Sequence, residues 1–363
     1  KPRLMINNIG FFDDYTPPIF IDDKYIKPCK IAGKTSIKTG KFNEYYKTEE
    51  CENLGLTLVN SNINFIYDKY DALLSAFPNT ISKNLLGYGS DSNGVEDNTL
   101  PIYEYVITSP QTPQLTQSGT NTLLNDTKTI LITTGIHGNE KVAVYGGYQF
   151  IKQMVENLNG DLMLDSLLSN FTFRIIPIAN PGGYNANSRN NLRNVNINRN
   201  FSYGWVNGPD SGEAPYSEIE TQIIHQWLLN NKSAFAYIDH HNFTRNFPGR
   251  DDSMASYHFS PNRDLDVMYS SLIRLLSLKW KRTYLSSYEN KDGIAYGFSL
   301  SELYRNTATT INEAFHIIGI QLSASPEAAL EDPINRTSRA TKLALEIDVE
   351  VLINYILSLC DNF

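Results

Sequence analysis

Six histidines are spread over 363 residues, and three of them stand where a metal ion could be gripped. His137 and Glu140 lie three residues apart in Gly135-Ile136-His137-Gly138-Asn139-Glu140, directly after a short apolar, β-branched run. A histidine and a carboxylate at that interval on a strand-to-helix turn can reach one cation together, and the two glycines let the backbone fold tightly there. Zinc accepts imidazole nitrogen and carboxylate oxygen, and a zinc centre that does chemistry combines three protein ligands with one open position. The third ligand must come from another strand end, where Asp239-His240-His241 offers two histidines. Adjacent residues of a strand face opposite sides, so one of the two reaches the ion. Asp239 shares the face of His241, which favours His241 as ligand and leaves His240 to packing.

An HxxE pair alone is common, so the elements that present it matter. Thr129 to Thr134 reads as a buried strand, and Lys141 to Leu158 follows with helical spacing. Tyr67 to Ser75 is predicted as a short helix, Ile102 to Thr108 as a strand, and Phe171 to Ile178 as a buried strand. Asn180-Pro181-Gly182-Gly183 is a strong turn signal. Ser217 to Leu229 is predicted helical, with Ser217 and Glu220 as a capping box. Phe235 to Ile238 and Thr307 to Ile311 read as strands, and Asp264 to Lys281 and Thr337 to Leu359 as helices. The alternation predicts an α/β fold: a mixed, mostly parallel central sheet with helices on both faces. Ligands of such sheets gather at the carboxyl ends of the strands, which is where His137, Glu140, His241 and Glu313 fall.

Residues 1–61 differ from the rest. They are rich in Lys, Asp, Tyr and Pro, and they read as a small β-rich or extended N-terminal extension ahead of a catalytic domain over 62–363. The net charge of -8 repels phosphate backbones, so no nucleic-acid partner is expected. The best apolar stretch, Val351 to Cys360, is about half of what a membrane span requires. The three cysteines, Cys29, Cys51 and Cys360, form no CxxC pair, which excludes a cysteine zinc site; Cys29 and Cys51 are the pair that could bridge. The chain opens at Lys1 without Met, and a secreted or cell-surface location is favoured over a cytoplasmic one.

Six short runs, taken in order, resemble the metallocarboxypeptidases of the carboxypeptidase A type: His137-Gly-Asn-Glu140, Asn180-Pro-Gly-Gly-Tyr184, Asn196-Ile-Asn198-Arg199-Asn-Phe201, Ser217-Glu-Ile-Glu220, Asp239-His-His241-Asn242 and Asn312-Glu313. The resemblance covers about residues 62–360. It implies one zinc ion held by His137, Glu140 and His241, with Glu313 as general acid/base at a late strand end. It implies Arg189 as the group that meets the developing oxyanion, with Arg193 as competitor. Asn198 and Arg199 become the anchor for a substrate's C-terminal carboxylate, a group that arginine can grip with two parallel hydrogen bonds. Tyr296 becomes the tyrosine that closes over the substrate, with Tyr288 and Tyr304 as competitors. The specificity pocket is expected among Phe298, Ser299, Leu300, Glu302 and Leu303.

One departure bears on the metal. The family's aspartate two residues before the Asn-Arg pair is Asn196 here, and an amide raises the basicity of a ligand histidine less than a carboxylate does. The implied substrate is a peptide, or a cell-wall peptide, with a free C-terminal carboxylate. A peptidoglycan or γ-glutamyl peptidase is the alternative within the family. An N-acyl amino acid deacylase on a related fold fits the Asn-Arg-Asn-Phe series less well. A binding module with a weakened site is the reading from a different class; with Glu313 as the implied acid/base, a Glu313→Gln variant indistinguishable from wild type would favour it.

Overall fold

Strand β3 (Lys128–Thr134) lies inside the sheet, and its residues sort onto two faces. Ile130 and Ile132 join one buried cluster and Leu131 joins the other, as period-two alternation requires of a strand covered on both sides. The computed structural model describes residues 54–109, 127–157, 160, 162–244, 255–269, 272, 297–299, 306–330, 349 and 351–359. Residues 1–53, all three cysteines, Tyr288, Tyr296, Leu300, Glu302, Leu303 and Tyr304 lie outside them. Of the expected pocket residues, Phe298 and Ser299 fall in strand β7.

The other strands are β1 (Ile81–Ser90), β2 (Glu96–Ile107), β4 (Phe171–Ile176), β5 (Ala236–Thr244), β6 (Ala255–Phe259), β7 (Gly297–Ser299) and β8 (Ser323–Leu330). They run in the order β1-β2-β4-β3-β5-β8-β6-β7. The central pairs β4-β3, β3-β5 and β5-β8 are parallel, as is β6-β7. The pairs β1-β2, β2-β4 and β6-β8 are antiparallel. The fold is therefore the expected mixed sheet with helices on both faces. Helices Ile63–Ala76 and Lys141–Glu156 pack on the Ile130 side, while Ile224, Trp227 and Leu228 of helix Ile219–Asn230 pack on the Leu131 side. Residues 54–60, expected as extension, form the Leu54–Asn60 helix, whose Leu58 is buried in the first cluster.

Three local expectations are corrected. Thr307–Ile311 is no strand: the side chain of Thr309 accepts from the backbone N of Asn312 and caps a helical turn, Thr310–Asn312, that continues as the π-helical Glu313–Ile318. The β-branched run that read as a strand is thus a threonine cap, where a hydroxyl competes for backbone groups. Ser217 does not cap helix Ile219–Asn230; the N-cap is Glu218, and the Ser217 hydroxyl donates to its carboxylate at 2.8 Å. Asn180-Pro-Gly-Gly opens the one-turn helix Pro181–Asn185, with Asn180 Oδ1 accepting from Gly183 N at 2.9 Å. Proline at a first helical position has no N–H to lose, which explains the helix after the turn signal.

Candidate active site

His137 and Glu140 leave the carboxyl end of β3 on the tight turn before helix Lys141–Glu156, and His241 sits in the neighbouring β5. The turn requires its glycines. Gly135 has φ +65°, and at Gly138 a Cβ would lie 2.0 Å from the carbonyl carbon of Gly183 and 2.2 Å from the backbone N of Tyr184. Both obstacles at Gly138 are backbone and cannot swing aside. Gly138→Ala is therefore expected to cost about 3 kcal/mol or more, read as a fall in the denaturation midpoint; an unchanged midpoint would show that the two loops are not in contact.

The side chains of His137, Glu140 and His241 are all buried, and each offers one ligand atom within 4.8 Å of the others. His137 Nδ1 lies 2.8 Å from Glu140 Oε1, His241 Nδ1 lies 2.7 Å from Glu140 Oε2, and the two Nδ1 atoms are 3.2 Å apart. The other ring nitrogens are braced from behind. His137 Nε2 donates to Asn196 Oδ1 at 3.2 Å, and His241 Nε2 donates to Asp239 Oδ2 at 2.8 Å. Those bonds set the tautomers so that both Nδ1 lone pairs converge with the carboxylate. Two imidazoles and a carboxylate on one point, each imidazole held by an acceptor, are a donor set that fits zinc.

Electrostatics act in opposite directions on the two histidines. Burial holds His137 below the usual histidine range, favouring the neutral ring a ligand must have. Burial opposes ionisation of Glu140, yet the two histidines outweigh it and hold the carboxyl well below the usual range. Burial also works against a charge on His241, but Asp239 and Glu140 on either side raise it well above the ordinary value.

The two braces are unequal. Asp239 is a buried carboxylate that also accepts from the hydroxyls of Thr133 and Thr310. Asn196 is an amide whose oxygen is shared between His137 and the backbone N of Asn198 at 3.1 Å. Asn196→Asp keeps both bonds and adds a charge behind the imidazole. Zinc affinity is expected to rise by about 10-fold, the lower end of what such bracing groups contribute; competition with a chelator of known affinity measures it.

Arg189 reaches the same place, with Nη1 3.2 Å from Glu140 Oε1 and a side chain 48% exposed. Arg193 instead turns away, toward Glu218 at 3.1 Å and Glu213 at 3.3 Å. Asn198 is buried, and its Oδ1 accepts from Thr310 N at 2.9 Å, so its amide nitrogen is the end left to donate. Arg199 Nη1 donates to the carbonyl of Asn198 at 2.7 Å.

Glu313 is not brought to the triad. It lies in the π-helical stretch, and its carboxylate accepts from Ser202, Tyr216 and His225, none of them a triad residue. Among the described residues, a further carboxylate beside the triad is Glu327, which is not evident from the sequence. Glu327 is half-buried in β8 and is the register partner of His241 across the parallel β5-β8 pair. Register partners in neighbouring strands project to the same face of a sheet, with backbones about 4.8 Å apart. Burial pushes the Glu327 carboxyl up to about 7, with His241 and Arg189 pulling down and Glu140 and Asp239 pushing up. Its strand was hidden by Ser323-Ala-Ser-Pro326, small residues and a proline that interrupts the ladder to β5 between Ala324 and Glu327. The signal available was a lone carboxylate in a short weakly polar run.

Residues 99–330 match the family model Peptidase_M14, zinc carboxypeptidase. The chain is 27% identical over 172 residues to carboxypeptidase SOL1 of Arabidopsis thaliana, covering 47% of this chain and 34% of that one. It is 22% identical over 237 residues to carboxypeptidase O of Bos taurus, covering 59% and 53%. It therefore spans about half the length, or less, of these curated relatives. The fold is similar to that in the crystal structure of thrombin activatable fibrinolysis inhibitor, with TM-score 0.60 and 15% identity over 89% of this chain and 79% of that one. It is also similar to carboxypeptidase A from Helicoverpa armigera, with TM-score 0.54 and 16% identity over 82% and 74%.

Proposed function

The chain belongs to the zinc carboxypeptidase family, Peptidase M14, and from that premise we propose that it is a zinc-dependent carboxypeptidase acting on the C-terminal bond of peptides that end in a free carboxylate. The observation that carries the reading is the convergence of His137, Glu140 and His241 on one point, with Arg189 beside them. Zinc held by this triad supplies Lewis acidity, which polarises a carbonyl and lowers the pKa of water.

The remaining steps belong to the chain's own residues. Asn198 and Arg199 bind the terminal carboxylate, the guanidinium with paired hydrogen bonds and the amide through its free nitrogen. Arg189 donates to the oxygen of the scissile carbonyl as negative charge develops there, where a preplaced cation is worth most. Glu327 takes the proton of the attacking water and returns it to the leaving amine. A carboxyl raised to about 7 by burial is suited to both halves of that transfer near neutral pH. Glu313 takes no part in the transfer.

The test is metal analysis of the purified protein together with cleavage of matched peptides bearing free and amidated C-termini. One zinc per chain and loss of cleavage on amidation are expected. Equal cleavage of both peptides would leave a metallopeptidase but remove the exopeptidase reading. Among the described residues no helix is long and apolar enough to cross a membrane.

A further inference from the structure

Glu313 is fully buried, a position in which a carboxylate is tolerated only when hydrogen bonds replace its water. Four donors do so. Oε2 accepts from the backbone N and the hydroxyl of Ser202 at 3.2 and 3.0 Å, and Oε1 accepts from the Tyr216 hydroxyl at 2.5 Å and from His225 Nδ1 at 2.9 Å. Ser202 lies three residues beyond Arg199. Tyr216 N donates to Asn200 O at 2.7 Å, so both ends of the loop over residues 200–216 meet Glu313. Tyr216 also adopts a left-handed backbone, φ 58°, which a bulky residue keeps only when its surroundings over-determine it.

The turn that carries Glu313 touches the rest of the site as well. Phe201 N donates to Ala308 O at 3.4 Å, and Thr310 N donates to Asn198 Oδ1 at 2.9 Å. A Cβ on Gly204 would lie 2.5 Å from Asn306 O, so the two backbones are in close contact. On its other side the Thr310 hydroxyl donates to Asp239, the brace of His241. One short segment, residues 306–313, therefore bonds both to the Asn198–Ser202 run and to the support of a triad histidine.

We propose that the 306–313 segment is a strut that sets the distance between the triad and the Asn198-Arg199 pair, and that Glu313 is its positioning residue, holding the Arg199 loop through Ser202 and Tyr216. This rests on the reading of Asn198 and Arg199 as the carboxylate anchor. Glu313 acts on where the peptide end is gripped, while the proton transfer belongs to another residue. Losing Glu313 frees the backbone N of Ser202 and lets the anchor drift, which weakens substrate binding and leaves the bond-breaking geometry at β3 and β5 in place.

Glu313→Ala, assayed on a peptide with a free C-terminus, is expected to raise KM about 10-fold with kcat within about 3-fold and zinc content unchanged. Glu313→Gln is expected to restore KM to within about 3-fold of wild type. Its carbonyl oxygen still accepts from Ser202 N, and the Tyr216 hydroxyl and the His225 ring can each turn an acceptor toward its NH2. Ser202→Ala, which removes one of the four bonds, is expected to show a smaller rise in KM at constant kcat, and it decides the matter should Glu313→Ala fail to fold. A fall in kcat of more than about 100-fold in Glu313→Gln would overturn the proposal by making Glu313 the acid/base. Unchanged KM in Glu313→Ala, or in Ser202→Ala where that variant decides, would overturn it by removing the strut. Wild-type protein that cleaves amidated and free peptides alike separates the outcomes, since that result defeats the anchor reading itself whatever the variants do.

Discussion

Glu327→Gln should lower kcat by about 10²- to 10⁴-fold, the range a positioned acid/base contributes, while zinc stoichiometry and KM stay near their wild-type values. The substitution keeps the shape of the side chain and its place opposite His241 in the β5-β8 ladder, so only the ability to take up and return a proton is lost. The pH profile supplies an independent reading. Glu327 must be ionised in the free enzyme to accept a proton, and burial raises its carboxyl to about 7. In the wild type, kcat/KM is therefore expected to fall as pH drops through that group. The limb lies at or below about 7 because a cation at the triad favours the ionised carboxylate. That limb should be absent from the residual activity of Glu327→Gln. A variant with full kcat would exclude Glu327 and return the search to other carboxylates near the triad.

His241→Ala should abolish stoichiometric zinc binding and reduce hydrolysis to the level of chelator-treated protein. The triad has three ligand atoms converging on one point, and three is the minimum with which catalytic zinc sites of this type are built. Removing one leaves a pair that cannot hold the ion against dilution, so the effect exceeds the roughly 10–100-fold loss expected on altering a bracing residue. Asp239→Asn is the control for that distinction. It leaves all three ligands and weakens only the acceptor behind His241, so zinc should still load at higher concentration and activity should return with it. Full zinc occupancy in His241→Ala, measured by elemental analysis after dialysis, would mean that a different residue supplies the third ligand.

Much of this site was legible because local chemistry and local structure coincide there. His137 and Glu140 are set by one turn, whose glycines and preceding apolar strand are visible in the sequence, and β3 and helix Lys141–Glu156 lie where periodicity puts them. The choice of His241 over His240 followed from alternation along a strand, and the structure places His241 with the other two. The carboxylate proposed as acid/base was not legible in the same way. Thr307-Ala-Thr-Thr-Ile311 has the β-branched composition of a strand, yet Thr309 spends its hydroxyl on a helix cap. The strand that is formed, β8, is built mostly from Ser, Ala and Pro, residues that carry little β signal of their own.

The candidate ligands, the turn that joins two of them, and the succession of elements that brings in the third can all be read along the chain, because each depends on residues a few positions apart. Tertiary structure alone decided which carboxylate stands beside the triad and which is tied up elsewhere. Glu313 and Glu327 are both carboxylates late in the chain, and no local rule separates them. The difference is strand register: pairing β8 alongside β5 puts Glu327 on the face of His241, while the Thr309 cap turns Glu313 toward Ser202, Tyr216 and His225. Register is fixed by pairing partners more than eighty residues away, so it is written in the packing of the whole sheet and in no single stretch of the chain.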